Sequence, residues 1–127
     1  MQLFNLVKLG LTLLAILTVL DVAYLAVFGK YFNKSIMKLQ GTKLQLKYIP
    51  AILCYLLLIF VLHHFIISKN GKPLEAFILG ASIYGVYELT NYATLNNWPL
   101  EMVLLDTTWG GILFALTTLF YYKISKK

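Results

Sequence analysis

The stretch YELTNYATLNNWPLEMVLLDTTWG, residues 87–110, lies between two strongly apolar segments and contains two deeply placed acids, Glu88 and Asp106. A turn rich in asparagine and threonine separates them and ends at Trp98 and Pro99. Proline suits the first position of a helix, where it removes no hydrogen bond. The stretch therefore predicts a helical hairpin with one acid on each helix.

The start of the second helix in this hairpin, WPLEMV (98–103), has a counterpart in KPLEAF (72–77). In both, a glutamate follows the proline by two residues and faces the positive end of the helix dipole. We interpret the two Pro-Leu-Glu motifs as two copies of one helix-start signal. This interpretation explains Glu75 and Glu101 without a functional role.

The composition of the chain indicates a membrane protein. Of its 127 residues, 60% are hydrophobic and 13% are charged, and the mean hydropathy is +0.77. About a quarter of the residues in a soluble domain are charged. A soluble domain of this size could not bury so much apolar surface, because small domains leave much of their surface exposed. We therefore predict a single transmembrane domain over residues 1–127.

Four apolar segments have the length that a helix needs to cross the bilayer, about 20 residues for a core of about 30 Å. They are residues 9–28, 49–68, 74–92 and 100–122. The first has no small-residue cleavage site, so we interpret it as a retained anchor rather than a secretory signal. Short connections make neighbouring helices antiparallel. The prediction is an all-α, multi-pass, antiparallel four-helix transmembrane bundle.

The connection between the first two helices has the pattern of an amphipathic helix. Phe32, Ile36 and Leu39 recur at helical spacing, and lysines at 30, 34 and 38 lie on another face. This pattern predicts a short interfacial helix over about residues 30–40, lying in the headgroup layer. A solvated loop is the alternative.

The basic residues are all lysines and lie near the ends of the apolar segments. The chain has 11 basic residues and a net charge of +6. Nucleic-acid binding usually uses arginine or aromatic–basic patches on a soluble module, so we exclude it and expect contact with anionic lipids. The side that carries both termini has the larger number of lysines, and the positive-inside rule then favours cytoplasmic termini. The lone Cys54 forms no disulfide or metal motif, and we expect it to be a small buried residue.

Three acids lie at one depth. With a rise of about 1.5 Å per residue, Asp21, Glu88 and Asp106 share a level in the half of the bilayer opposite the termini. An acid at mid-membrane costs about 2.5–3.5 kcal/mol. The three should therefore face inward, be partly protonated, or bind a ligand. Helical spacing predicts an inward-facing pocket beneath the 92–98 turn, with these members: Asp21, Tyr84, Glu88, Asn91, Asp106 and Trp109.

The adjacent residues His63 and His64 lie near the opposite membrane face. This depth separates them from the acids, and adjacent histidines point to different helix faces. We interpret them as interfacial residues. The sequence accordingly predicts no metal site and no cofactor.

Three functions fit this pattern. The first is a pocket that binds or moves a small polar group, namely a lipid headgroup, a proton or a cation. Because four helices barely enclose a pore, transport would require a homo-oligomer. The second is a membrane-embedded lipid-modifying enzyme with Glu88 and Asp106 as catalytic acid and base. The third is a structural or accessory subunit of a membrane partner, in which hydrogen bonds within the polar cluster only stabilise the bundle.

The segments YELTNYATLNNWP and LLDTTWG resemble the signature of a family of small predicted membrane proteins, domain of unknown function 2177. LDVAYL (20–25) resembles that family's first-helix motif. The resemblance covers nearly the whole chain, implies a four-helix membrane architecture and assigns no activity. It implies these motif positions: Asp21, Glu88, Thr90, Asn91, Trp98, Asp106, Trp109 and Gly110. Two residues depart from the family pattern, Glu88 where aspartate is frequent and Tyr24 where tryptophan is common, and the longer acid disfavours an exact metal geometry.

Overall fold

The computed structural model describes residues 2–41 and 47–125, and every regular element in these ranges is helical. Four α-helices follow one another: α1 (Gln2–Gln40), α2 (Tyr48–Phe65), α3 (Pro73–Thr94) and α4 (Leu100–Ser125). A short 3-10 turn, Ile67–Lys69, lies between α2 and α3. The predicted all-α fold class is confirmed.

Three of these helices are long and apolar enough to cross a membrane: α1, α2 with the turn that follows it, and α4. With 22 residues, α3 has a sufficient length of about 33 Å. Its glutamates and tyrosines lower its hydropathy, so α3 is not one of the three helices that are apolar enough to cross a membrane. It packs instead along α4 over most of its length. The chain is thus an integral membrane protein in which the least apolar helix is joined closely to an apolar one.

The predicted break after residue 28 is wrong, because α1 continues as one helix of 39 residues, about 58 Å long. The sequence has no proline in this region, and Gly29 is tolerated within the helix. The apolar stripe of the presumed interfacial helix packs inside the protein: Phe32, Ile36 and Leu39 contact a buried cluster at the start of α4. The lysines at 30, 34 and 38 are exposed on the outer side.

The end of α1 has a local cause. Gly41 has a φ of +78° and donates its N–H to the carbonyl oxygen of Met37 at 2.8 Å. A glycine in the left-handed region directly after the last helical residue is a common helix terminator. The chain can then turn back toward α2.

Helices α3 and α4 approach each other backbone to backbone. A Cβ atom on Gly80 would lie 2.2 Å from the carbonyl oxygen of Gly110, and one on Gly110 would lie 2.3 Å from the ring of Tyr84. Small residues allow such close approach in membrane bundles. At the start of α3, the Glu75 carboxylate accepts the backbone N–H of Lys72 at 2.9 Å, as expected for a helix-start signal. The hairpin is therefore held in one register.

The apolar core lies between the four helices. Its central members come from all of them: Leu13, Leu17, Leu58, Leu62, Ala76, Leu113 and Phe114. The expectation that Cys54 is buried is wrong, because its side chain is exposed on the outer surface of α2. An apolar run that crosses a membrane does not reveal which of its faces packs against protein, since lipid accepts the other faces equally well.

The close approach of α3 and α4 generates a first prediction. Gly80→Ala and Gly110→Ala should each lower the free energy of unfolding by about 1–3 kcal/mol, because the added methyl group overpacks the interface. Thermal unfolding in a neutral detergent, followed by circular dichroism, measures this loss.

Gly29→Ala is the matched control, since a Cβ atom there meets nothing within 4 Å. Alanine is also the better helix former. The control should unfold at or above the temperature of the wild type. Equal loss in all three variants would contradict the proposed close packing.

Candidate functional site

The three acids line one cavity of about 210 Å³ between α1, α3 and α4. Asp21 comes from α1, Glu88 from α3 and Asp106 from α4. We name this space the acid–aromatic cavity; its walls are formed by Asp21, Tyr24, Leu25, Phe32, Ile36, Tyr84, Tyr87, Glu88, Trp98, Met102 and Asp106. Helical periodicity thus brings together three residues that are far apart in the sequence.

Asp21 is held by two neutral donors from two other helices. The hydroxyl group of Tyr55 on α2 donates to Oδ2, and the indole Nε1–H of Trp109 on α4 donates to Oδ1 at 3.0 Å. The residue is 8% exposed. Both carboxyl oxygens have a donor, so hydrogen bonds offset part of the cost of burying this acid.

Glu88 and Asp106 form a pair across the α3–α4 interface. Their carboxyl groups lie within hydrogen-bonding range of each other. Glu88 is 2% exposed, and its Oε1 accepts the indole N–H of Trp98 at 2.9 Å. The hydroxyl of Tyr24 donates to Oδ1 of Asp106 at 3.3 Å. Two carboxyl groups this close cannot both ionise without a compensating proton or cation.

Aromatic rings form much of the wall and fix its shape. The rings of Tyr24 and Trp109 stack with centroids 4.5 Å apart and an interplanar angle of 0°. Tyr87 meets Trp98 edge to face at 6.5 Å. Offset stacked and edge-to-face pairs are the favoured ring arrangements and restrict side-chain motion. The hydrogen-bond donors of the cavity are therefore attached to rings that packing holds in place.

The cavity lies close to one end of the bundle. Asp106 follows the first residue of α4 by about 9 Å, and Tyr55, which reaches Asp21, follows the first residue of α2 by about 10 Å. Both helices start at the same end of the bundle. Asp106 and the Tyr55 that binds Asp21 therefore lie at a similar distance from that end. The acids therefore lie inside the protein, about 10 Å from the end at which α2 and α4 begin.

In the described part of the chain, the ionisable side chains that line the cavity are acids and tyrosines, and none is a lysine. The same part of the chain contains no group of three His, Cys, Asp or Glu side chains arranged to hold a metal ion. The donors at the site are therefore phenol and indole groups, which carry no charge.

The remaining predicted pocket and hairpin residues have different positions. Tyr84 lines the cavity and packs over Gly110. Trp109 lies behind the wall and holds Asp21. Asn91 is outside the lining and lies beside Tyr87.

Trp98 and Thr90 complete the hairpin positions. Trp98, which the resemblance gave as a hairpin position, lines the cavity and binds Glu88. Thr90 is exposed, and its carbonyl oxygen accepts the hydroxyl of Thr94.

Two donors were missed at the sequence level, Tyr24 and Tyr55. Tyr24 follows Asp21 by three residues and therefore shares its helix face, which was a usable signal. Tyr55 is a polar aromatic residue about two turns into an apolar run, at the depth of the acids. A buried tyrosine hydroxyl usually finds a partner, so a tyrosine at this depth indicates a nearby acceptor.

The histidines lie away from the acids. His63 lines a different cavity, with Leu9, Gly10 and Leu13 near the start of α1. His64 is exposed and lies between the rings of Phe60 and Phe65. Neither residue lines the acid–aromatic cavity.

Comparisons with known proteins identify a family. Neither the search of curated proteins nor the search of solved structures found a match to this chain. The sequence model of a family described as predicted membrane protein, DUF2177, matches residues 6–123. The matched range contains all three acids and both tryptophans, and it agrees with the resemblance of the hairpin motifs. The chain belongs to the DUF2177 family of predicted membrane proteins.

Proposed function

We propose that the acid–aromatic cavity binds a small cationic group close to one membrane face. The observation that carries the proposal is that three carboxyl groups line one cavity and receive hydrogen bonds from uncharged phenol and indole donors. No lysine is among the described residues that line the cavity. The described lining of the cavity thus has acidic groups and no basic side chain to neutralise them.

The electrostatic cost of this arrangement favours a cation. Like charges separated by a few ångströms repel strongly where the local dielectric constant is low. In the absence of a ligand, the Glu88–Asp106 pair can relieve the repulsion by holding one proton between its oxygens. A bound cation would replace that proton and interact with both carboxylates.

Asp21 has a different role in this proposal. Both of its oxygens already accept hydrogen bonds, from Tyr55 and Trp109. It is therefore a less available acceptor than Glu88 or Asp106, for each of which one aromatic donor is described. The contact groups for the ligand are the oxygens of Glu88 and Asp106.

The walls suit an organic cation. The faces of tyrosine and tryptophan rings attract ammonium groups by cation–π interactions, which are worth about 2 kcal/mol when desolvated. The volume of about 210 Å³ is below the usual range for drug-sized ligands, about 300–1,000 Å³. A small ammonium group meets both conditions.

Intrinsic fluorescence provides a direct test, because each of the two tryptophans donates to a cavity acid. Titration of the detergent-solubilised protein with ethylammonium chloride should produce a saturable fluorescence change. Glu88→Gln and Asp106→Asn should each weaken the apparent affinity about tenfold or more, since each removes a charge-assisted hydrogen bond. Because the cation replaces a proton, the affinity of the wild type should increase with pH.

Glu101→Gln is the matched control, since Glu101 is an exposed acid on the first turn of α4. This control should bind like the wild type, and sodium chloride at equal ionic strength should produce no saturable change. A wild type without a response, or an equal loss in Glu101→Gln, would contradict the proposal.

A purely stabilising cluster gives a different result. In the Glu88→Gln variant, the new side-chain amide can donate to Asp106 and can accept from Trp98, so the fold should be retained. Loss of thermal stability in this variant, together with no cation response in the wild type, would identify the cluster as a structural element only.

The carboxyl pair also supports a second candidate function, acid–base chemistry on a membrane lipid, because one member can donate a proton while the other accepts one. If this function is correct, cells that express the wild type should differ in lipid composition from cells that express Glu88→Gln or Asp106→Asn. Mass-spectrometric lipid profiling measures the difference. Identical profiles in all three would remove this candidate.

A further inference from the structure

The acid–aromatic cavity has an opening on the side of the bundle. Two of its lining residues are also on the outer surface: Leu25 on α1 is 44% exposed, and Tyr87 on α3 is 57% exposed. Helix α1 packs against α2 and α4, and α3 packs along α4, but α1 and α3 are not packed extensively against each other. The opening therefore lies between α1 and α3, with α4 as the floor.

The polarity of the rim changes with depth on α3. Ile83 lies one turn below Tyr87, whereas the polar residues Thr90 and Asn91 lie one turn above it. On α1 the rim is apolar at both levels, with the exposed Val22 one turn below Leu25 and Phe32 two turns above it. The lower rim thus consists of hydrocarbon on both helices, and hydroxyl and amide groups occur in the upper rim on the α3 side.

This gradient matches the polarity of a lipid molecule. An acyl chain can pack against the lower rim, and a polar headgroup can lie beside the α3 side of the upper rim, within reach of Glu88 and Asp106. A water-soluble cation would gain no favourable contact from the apolar lower part of the opening. The depth of the acids, about 10 Å from the first residue of α2, is also reached from the headgroup layer.

We infer that the opening between α1 and α3 admits a membrane lipid whose headgroup carries an ammonium group, which then binds the carboxyl pair. The inference rests on the proposed function, since it requires that the cavity bind a cation. It adds the class of ligand and its route. The ammonium group lies inside the cavity while the acyl chains remain in the bilayer.

Lipid preference in the wild type tests the inference without any substitution. Native mass spectrometry would compare the retention of phosphatidylethanolamine and phosphatidylglycerol with identical acyl chains. The net charge of +6 by itself favours the anionic phosphatidylglycerol. We expect the opposite order, with phosphatidylethanolamine retained several-fold better and the preference lost in Glu88→Gln.

Val22→Trp tests the route, because Val22 lies on the lower rim but does not line the cavity, and the larger side chain should obstruct the place where an acyl chain would pack. It should reduce retention of phosphatidylethanolamine about tenfold while calorimetric binding of soluble ethylammonium stays within about twofold of the wild type. Val27→Trp is the matched control, as Val27 is exposed on another face of α1. It should behave like the wild type in both measurements.

The outcomes separate the two proposals. If ethylammonium binds but phosphatidylglycerol is retained as well as phosphatidylethanolamine, or if Val22→Trp retains lipid like the wild type, the lipid inference is wrong and the cation site stands. If the wild type binds neither ethylammonium nor phosphatidylethanolamine, the proposed function fails, and the inference fails with it.

Discussion

The packing of this protein depends on one constraint, the need to satisfy a buried acid where lipid cannot solvate it. Asp21 on α1 meets this constraint with the hydroxyl of Tyr55 on α2 and the indole of Trp109 on α4. Because the two donors come from different helices, the positions of three helices are coupled at this point. Apolar packing in a bilayer is only weakly selective, since lipid tails are as apolar as leucine. A satisfied acid gives the bundle a specific arrangement that leucine contacts alone would not select.

The second coupling lies between α3 and α4 and compensates for the low hydropathy of α3. Gly80 and Gly110 let the two backbones touch, so the hairpin packs as one unit. The register that results brings Glu88 opposite Asp106, and the turn returns Trp98 to Glu88. Glu88 can therefore be held in the bundle, because protein covers it and not lipid, whereas Glu75 lies exposed in the first turn of α3.

The sequence predicted the parts of the structure that depend on periodicity and length. Rise per residue predicted one depth for Asp21, Glu88 and Asp106, and helical spacing predicted that they face a common space. In the structure all three line one cavity. The sequence could not predict the rotation of one helix relative to another, which decides that Tyr55 reaches Asp21 and that Cys54 faces outward. It also could not distinguish an interfacial helix from an extension of α1. An apolar stripe on Phe32 and Ile36 fits a membrane surface and a protein surface equally well, and only the position of the α4 start decides between them.

The three acids differ in how far hydrogen-bond donors of the protein satisfy their carboxyl oxygens. Asp21 has a donor on each oxygen, so groups of the protein itself satisfy both oxygens. Glu88 and Asp106 face each other, and each has one uncharged aromatic donor. A pair of acceptors needs something between them that donates, and neither side chain can supply it when both are ionised. A merely stabilising cluster could meet this need with a lysine or an amide at position 88 or 106. Here, instead, two acids face an open space that is lined by aromatic rings. The pair is therefore suited to bind a proton or a cation.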